Sequence, residues 1–320
     1  MIVDEIRDAV RAGSLLGAGP PLVAMLSGGR DSVCLLDVAV ELGCSARALH
    51  VNYGLRAEAD TDERSCVELC QQLGVELRVV RAGAPEGNVQ AWARDVRYAA
   101  ARELAAALGV GASIATGHTA SDQVETILYR LAASPGRRAL LGMAEREGAI
   151  VRPLLAFTRE QTAAYCSERG LGWREDVSNE DQRYARARVR AALVPALRAV
   201  HPAAESNVLR TARLLREETA LLDALVDAEL HGSATIALDR LAELAPALAR
   251  MVVVRLAEDA TETYVPQAGE RVDELLALAR RGGSAELHVG GGAGAVIADG
   301  VLSMRRLPPR GRSNPPPGAD

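Results

Sequence analysis

Lysine is missing: all 37 basic residues of the 320-residue chain are arginine. That absence excludes the lysine-bearing nucleotide loop G-x-x-x-x-G-K-S/T, and the bias itself reads as compositional. Aromatic residues are scarce at 3%, too few for a platform on which many bases could stack. Five scattered cysteines, Cys34, Cys44, Cys66, Cys70 and Cys166, form no C-x-x-C pair, which argues against a disulfide framework and makes buried thiols the default. No apolar run is long enough to span a bilayer, and Met1 to Val10 is too acidic for a signal peptide. The sequence therefore predicts a cytoplasmic protein with no membrane partner.

What the chain does have is ample apolar content, 48%, and a length that suggests about two domains. A net charge of −5 argues against nonspecific nucleic-acid binding, but the average conceals a local excess. Between Arg130 and Arg216 there are 16 Arg against 9 acidic residues, enough to expect a polyanion surface.

Short apolar runs alternate with amphipathic stretches. Leu22 to Leu26, Ala46 to Asn52, Glu76 to Arg81, Ala112 to Gly117 and Ile150 to Leu155 read as strands. Ser32 to Leu42, Thr61 to Leu73, Val89 to Leu108, Asp122 to Leu131 and Thr158 to Arg169 read as helices. Such alternation predicts an α/β fold with a doubly wound, mainly parallel sheet, and ligands then bind outside the carboxyl ends of its strands. Two further helices, Tyr184 to Val200 and Ala203 to Leu230, precede a change of texture: a short strand Thr235 to Leu238, helices near Leu241 to Ala257 and Gly269 to Arg281, and a Gly-punctuated set of strands from Glu286 to Arg305. The expected organisation is a catalytic domain over 1–200, a helical connector over 201–232, a small α+β domain over 233–307 and a disordered Pro- and Gly-rich tail over 308–320.

The first strand stops at Ser27-Gly28-Gly29-Arg30-Asp31-Ser32, and a helix starts at once. Adjacent glycines let successive N–H groups point into one concavity at a helix N-terminus, a geometry that favours anions and above all phosphate. The plainer alternative is an ordinary turn with Ser or Asp as N-cap.

This stretch resembles the S-G-G-x-D-S pyrophosphate loop of the N-type ATP pyrophosphatases. It is accompanied by "HVNYGLR" at His50 to Arg56, "ARDVRY" at Ala93 to Tyr98, "TGHTASDQVETILYRL" at Thr116 to Leu131, "RPLL" at Arg152 to Leu155 and "EDVSNEDQRYARARVR" at Glu175 to Arg190. The ordered series resembles the tRNA(Ile)-lysidine synthetase family. The resemblance implies an adenine nucleotide alpha hydrolase-like fold with a small domain that grips tRNA. It also implies a reaction: ATP adenylates the 2-carbonyl oxygen of the wobble cytidine of a tRNA(Ile) with a CAU anticodon, and L-lysine then displaces AMP. ATP and Mg²⁺ are the implied cofactors, and a homodimer is left open. Longer relatives carry a further C-terminal domain that is not expected here.

By the same resemblance Ser27, Gly28, Gly29, Arg30, Asp31 and Ser32 bind ATP, and Asp31 and Asp122 bind the metal. Asp31, His118, Asp122, Arg97 and Arg190 take part in catalysis, and Arg186, Arg188 and Arg190 bind tRNA, with Arg94 a further candidate for phosphate. The family pattern H-H-x-D-D-Q reads His118-Thr119-Ala120-Ser121-Asp122-Gln123 here, so Thr119 and Ser121 replace an imidazole and a carboxylate, and Ala187 replaces a usual Asn. On the residues alone three rivals stand. One is a 2-thiolation enzyme, which would need paired cysteines; another is an amidating synthetase, which would need a glutaminase. The third is a noncatalytic nucleotide- or RNA-binding module.

Overall fold

The computed structural model describes residues 1–55, 57–85, 87–134, 136–174 and 185–308. The expected disordered tail beyond Pro308, and Glu175 to Tyr184 of the last motif, lie outside them. The chain divides into two compact units, Met1–Arg213 and Leu214–Asp320.

The first unit is built on β1 (Leu22–Met25), β2 (Ala46–Asn52), β3 (Glu76–Arg81), β4 (Ser113–Ala115), β5 (Arg146–Glu147) and β6 (Ile150–Val151), in the order β3-β2-β1-β4-β6-β5. All neighbours are parallel except the short β5–β6 pair. Successive side chains of a strand face opposite ways, and β1 shows the consequence. Its Leu22 and Ala24 enter a core with α1 (Ile2–Ala12), α2 (Arg30–Glu41), α3 (Ala59–Leu73) and α6 (Arg159–Glu168), built on Ile6, Leu35, Leu36, Leu69 and Tyr165. Its Val23 and Met25 enter a second core with Tyr98, Ala101 and Leu104 of α4 (Val89–Leu108). A sheet buried on both faces accounts for the continuous apolar runs of the sequence. The strand order reverses at β1, between β2 and β4, so the loops after β1 and β4 open a crevice at their carboxyl ends.

Helix α1 was not among the expected elements; its Val3, Ile6 and Val10 form one buried stripe. Helix α5 (Ala120–Ala133) begins two residues before the expected Asp122. Thr119 closes a capping box with Asp122 and moves the start back. The stretch expected as one helix to Val200 is described from Ala185 as α7 (Ala185–Arg188), a π turn (Val189–Leu193) and α8 (Val194–Val200). It packs Val189 and Val194 on Val124 and Leu128 of α5, with Val208 and Leu209 of α9 (Ala204–Leu230) over them.

A buried carboxylate ties α2 to α6. Asp37 accepts a hydrogen bond from the Tyr165 hydroxyl at 2.6 Å and from Arg169 Nε at 2.8 Å. Such a charge is tolerated inside a protein only when paired in this way. The clamp fixes the far end of α6 and so the direction of its N-terminus.

In the second unit β7 (Thr235–Ala237), β8 (Ala285–Gly290), β9 (Ala293–Ala298) and β10 (Val301–Arg306) form an antiparallel sheet ordered β7-β10-β9-β8. The expected helix Leu241 to Ala257 is two, α10 (Leu238–Glu243) and α11 (Pro246–Thr261), because Pro246 opens a new helix at its first position. With α12 (Val272–Arg281) they bury Leu241, Val252, Leu256 and Leu275 against Ile297 and Leu302.

Candidate active site

Between β1 and α2 the backbone turns through Gly28 at φ +87°, a value that favours glycine, and Gly29 caps the helix without a side-chain bond. A side chain at Gly28 would also meet the Cys66 sulfur at 3.3 Å. Ser32 locks the loop: its hydroxyl donates to the Gly29 carbonyl at 2.8 Å and accepts from the Ser27 N–H at 3.1 Å. Behind the loop the buried His50 places Nδ1 2.9 Å from the Leu26 carbonyl oxygen and 3.4 Å from Cys66 Sγ. The N–H of Arg174 donates to the Gly28 carbonyl at 3.0 Å. The loop is thus a rigid turn at the positive end of α2, the arrangement that binds phosphate.

The expectation that Asp31 could cap α2 is not met. It lies inside the first turn, with Gly29 as the cap, and its carboxylate is turned to α6. There it accepts from the Thr162 hydroxyl and lies 3.8 Å from Arg159 Nε. Burial, together with the Asp122 charge, pushes the Asp31 carboxyl up to about 6, against the pull of Thr162 and Arg159. β4 brings the second loop close to this one. An added side chain at Gly117 would stand 2.9 Å from the Asp31 carbonyl carbon and oxygen, so only glycine lets the two loops touch.

Asp122 sits at the N-terminus of α5 and accepts from the Thr119 N–H at 2.9 Å and the Thr119 hydroxyl at 2.8 Å. Its other oxygen accepts from Arg159 Nη2. Burial pushes this carboxyl up, but Arg159, His118 and Thr119 outweigh it and hold it below the usual range. His118 behaves oppositely. Burial lowers it to about 4, Asp122 resists, and the charges of Arg152, Arg97 and Arg186 add to the lowering, so the ring is neutral at pH 7. Its Nδ1 lies 2.7 Å from the Thr116 hydroxyl.

Three residues that the sequence reading did not single out complete the group: Glu125, Arg159 and Thr162. Glu125, with a side chain 5% exposed, receives Arg159 Nη1 at 2.7 Å, Arg190 Nε at 2.7 Å and Arg190 Nη2 at 3.1 Å. One guanidinium, that of Arg159, therefore touches Asp31, Asp122 and Glu125. Arg159 and Thr162 share the first turn of α6, set by a capping box between Thr158 and Gln161. A T-x-x-Q spacing before this helix was the available signal.

Of the expected site residues, Asp31, His118, Asp122 and Arg190 come together with the loop Ser27 to Ser32. Arg97 is half-buried on α4, 5.8 Å from the Tyr98 ring centroid, and its charge acts on His118. Arg94 lies over the same ring at 4.7 Å and is exposed. Arg186 and Arg188 are exposed on α7, and the Arg186 charge also acts on His118. Arg190 spends both ends of its fork on Glu125. Arg152 is buried, with Nη1 on the Ala144 carbonyl oxygen at 2.7 Å and Nη2 on Glu147 at 2.8 Å. Among the described residues no group of three or more His, Cys, Asp or Glu is arranged to hold a metal ion. Asp31 and Asp122 fit Mg²⁺ in another way, since that ion commonly takes one or two protein carboxylates and completes its shell with phosphate and water.

The fold and this loop define a PP-loop protein, an α/β domain that uses ATP. The PP-loop domain family matches residues 16–197. The chain is 39% identical over 294 residues to a tRNA(Ile)-lysidine synthase of Salinispora arenicola, covering 86% of this chain and 88% of that one. It is 36% identical over 308 residues to the Thermus thermophilus enzyme of the same name, covering 93% of this chain and 59% of the relative. It thus spans little more than half of the longer relatives. By these measures the chain belongs to the tRNA(Ile)-lysidine synthase family. Among solved structures, a U34-tRNA thiolase from Methanococcus maripaludis shares the fold at a TM-score of 0.55 and 18% identity, covering 67% of this chain and 79% of that one. No helix among the described residues is long and apolar enough to cross a membrane.

Proposed function

We propose that this chain makes lysidine, joining L-lysine to the 2-position of the wobble cytidine of a tRNA(Ile) with a CAU anticodon at the expense of ATP. The observation that carries the reading is the joining of two parts: the Ser27 to Ser32 turn, suited to phosphate, and the Asp122 and Glu125 carboxylates, which Arg159 links to Asp31 of that turn. In the first step the cytidine 2-carbonyl oxygen attacks the α-phosphorus and pyrophosphate leaves. The loop N–H groups and the dipole of α2 hold the departing phosphates. Asp31 and Asp122 would hold Mg²⁺, which when bound would neutralise the triphosphate. In the second step the lysine ε-amine attacks C2 and AMP leaves. Asp122, kept ionised, holds the incoming lysine ε-ammonium, the neutral His118 ring accepts a proton from it, and the freed amine bonds to C2 as the bond from C2 to the oxygen carrying AMP breaks. Arg97 and Arg186, whose charges converge on His118, offer phosphate contacts to the RNA, and residues 233–307 supply further tRNA contacts.

The neighbouring thiolase fold suggests sulfur transfer as a rival, but the thiols argue against it. Burial pushes Cys66 and Cys166 up to about 12 and Cys70 to about 11, far from the thiolate a sulfur relay uses. Mass spectrometry of a tRNA(Ile) transcript after incubation with ATP and lysine tests the reading: a lysidine nucleoside is expected. Unmodified cytidine from folded, ATP-binding protein overturns it.

A further inference from the structure

The Arg159 guanidinium sits where a cation is wanted. It lies on Asp122 through Nη2 and on Glu125 through Nη1 at 2.7 Å, and its Nε is 3.8 Å from Asp31. Its side chain is 17% exposed, and all three carboxylates are largely shielded, so the charges interact in a medium that screens them weakly. Glu125 also receives both ends of the Arg190 fork, so it keeps a cation of its own if Arg159 moves, whereas Asp31 and Asp122 share the Arg159 guanidinium.

We propose that Arg159 is a built-in stand-in cation, a positioning residue that holds Asp31 and Asp122 together before nucleotide arrives and yields them to Mg²⁺ when Mg²⁺·ATP binds. The proposal rests on the reading that these two carboxylates face Mg²⁺·ATP. Two features suit Arg159 to the exchange. Its backbone is fixed, since the Thr158–Gln161 capping box sets the first turn of α6 and the Arg159 N–H lies 3.3 Å from Ser121 Oγ. Its side chain is long and flexible, and a triphosphate entering beside it gives the guanidinium an anion to move to, in the forked geometry that arginine prefers. Without the guanidinium that both of them meet, the two carboxylates would repel each other, so the stand-in also keeps the site assembled between turnovers.

The consequence is that the nucleotide-free protein should bind a divalent ion poorly, because arginine already holds the position. Mn²⁺, followed by electron paramagnetic resonance, is the probe, with the full chain and no nucleotide. Arg159→Gln should bind Mn²⁺ about tenfold or more tighter than the unaltered protein, the direction set by removing a competing positive charge. Arg159→Lys, which keeps the charge, should bind it as weakly as the unaltered protein. Equal Mn²⁺ affinity in the unaltered protein and Arg159→Gln, or weaker binding in the variant, overturns the proposal. A second readout needs no folded Gln variant: the Arg159 Nε–Hε resonance, assigned by its loss in Arg159→Lys, should shift on adding Mg²⁺·ADP while that of Arg190 stays. An unmoved Arg159 resonance in protein saturated with Mg²⁺·ADP also overturns it. If instead nucleotide brings no divalent ion to Asp31 and Asp122, seen as nucleotide-dependent Mn²⁺ binding that survives Asp31→Asn and Asp122→Asn, the underlying reading fails and the proposal falls with it.

Discussion

Asp122 both closes a capping box and receives Arg159, so a useful substitution must separate charge from shape. Asn keeps the capping ability and removes the charge. Asp122→Asn should leave the melting temperature nearly unchanged and cut lysidine formation about a hundredfold or more, the range for losing a general base or electrostatic anchor. Quantified lysidine per unit time is the check. His118 makes a pH statement. Its folded pKa, about 4, lies below the ordinary 6.5, so between those values the unfolded chain binds the extra proton and the contribution of His118 to stability is lost as pH falls. Urea denaturation should therefore show the gap between the unaltered protein and His118→Asn narrowing from pH 7 to pH 5. The loop and the His118 to Asp122 segment were legible in the sequence because their residues are contiguous. Arg159 was not, because it meets Asp122 37 positions away and Asp31 farther still, and a local pattern does not say where a helix N-terminus will be aimed.

At the scale of elements, the π turn after α7 separates two arginines that the sequence placed in one cluster. A wider turn rotates the residues that follow it. Arg190 lies on that turn and bonds Glu125, whereas Arg186 precedes it and stays exposed. Arg186→Glu should therefore weaken tRNA binding and flatten its salt dependence by roughly one unit of slope per lost phosphate contact. Arg190→Glu should leave that slope almost intact and reduce the modification itself; filter binding at several salt concentrations separates the two. Periodicity finds every parallel strand and both ends of β2 and β3, but it overruns β4 and β6, which stop where their chains leave to form the site. The departure of Thr119 from the family pattern also finds its physical sense here: a hydroxyl in that place is the N-cap of α5.

For the whole molecule, the helical connector expected over 201–232 holds one continuous 27-residue helix, α9, crossed by the boundary between the units. Its two ends serve different cores: Val208 and Leu209 cover the α5 cluster, whereas Val226 and Leu230 enter the second unit's interior. Composition signalled the change of texture but could not reveal that one helix belongs to both. A fragment ending at residue 230 should stay folded and bind ATP while losing tRNA affinity. One ending at residue 200 should be less stable by about 2–4 kcal/mol, from uncovering the apolar faces under Val208 and Leu209. Thermal melts and ATP binding of both fragments check this. Finally, the site is ringed by arginine, Arg97, Arg152, Arg159, Arg186 and Arg190, in a chain without lysine. Guanidinium stays protonated and attacks poorly, so in the proposed reaction no side-chain amine can trap the activated cytidine. With free lysine withheld, the RNA should accumulate as adenylate, and a denaturing gel should show no covalent protein–RNA adduct: the enzyme is chemically blind to its own intermediate.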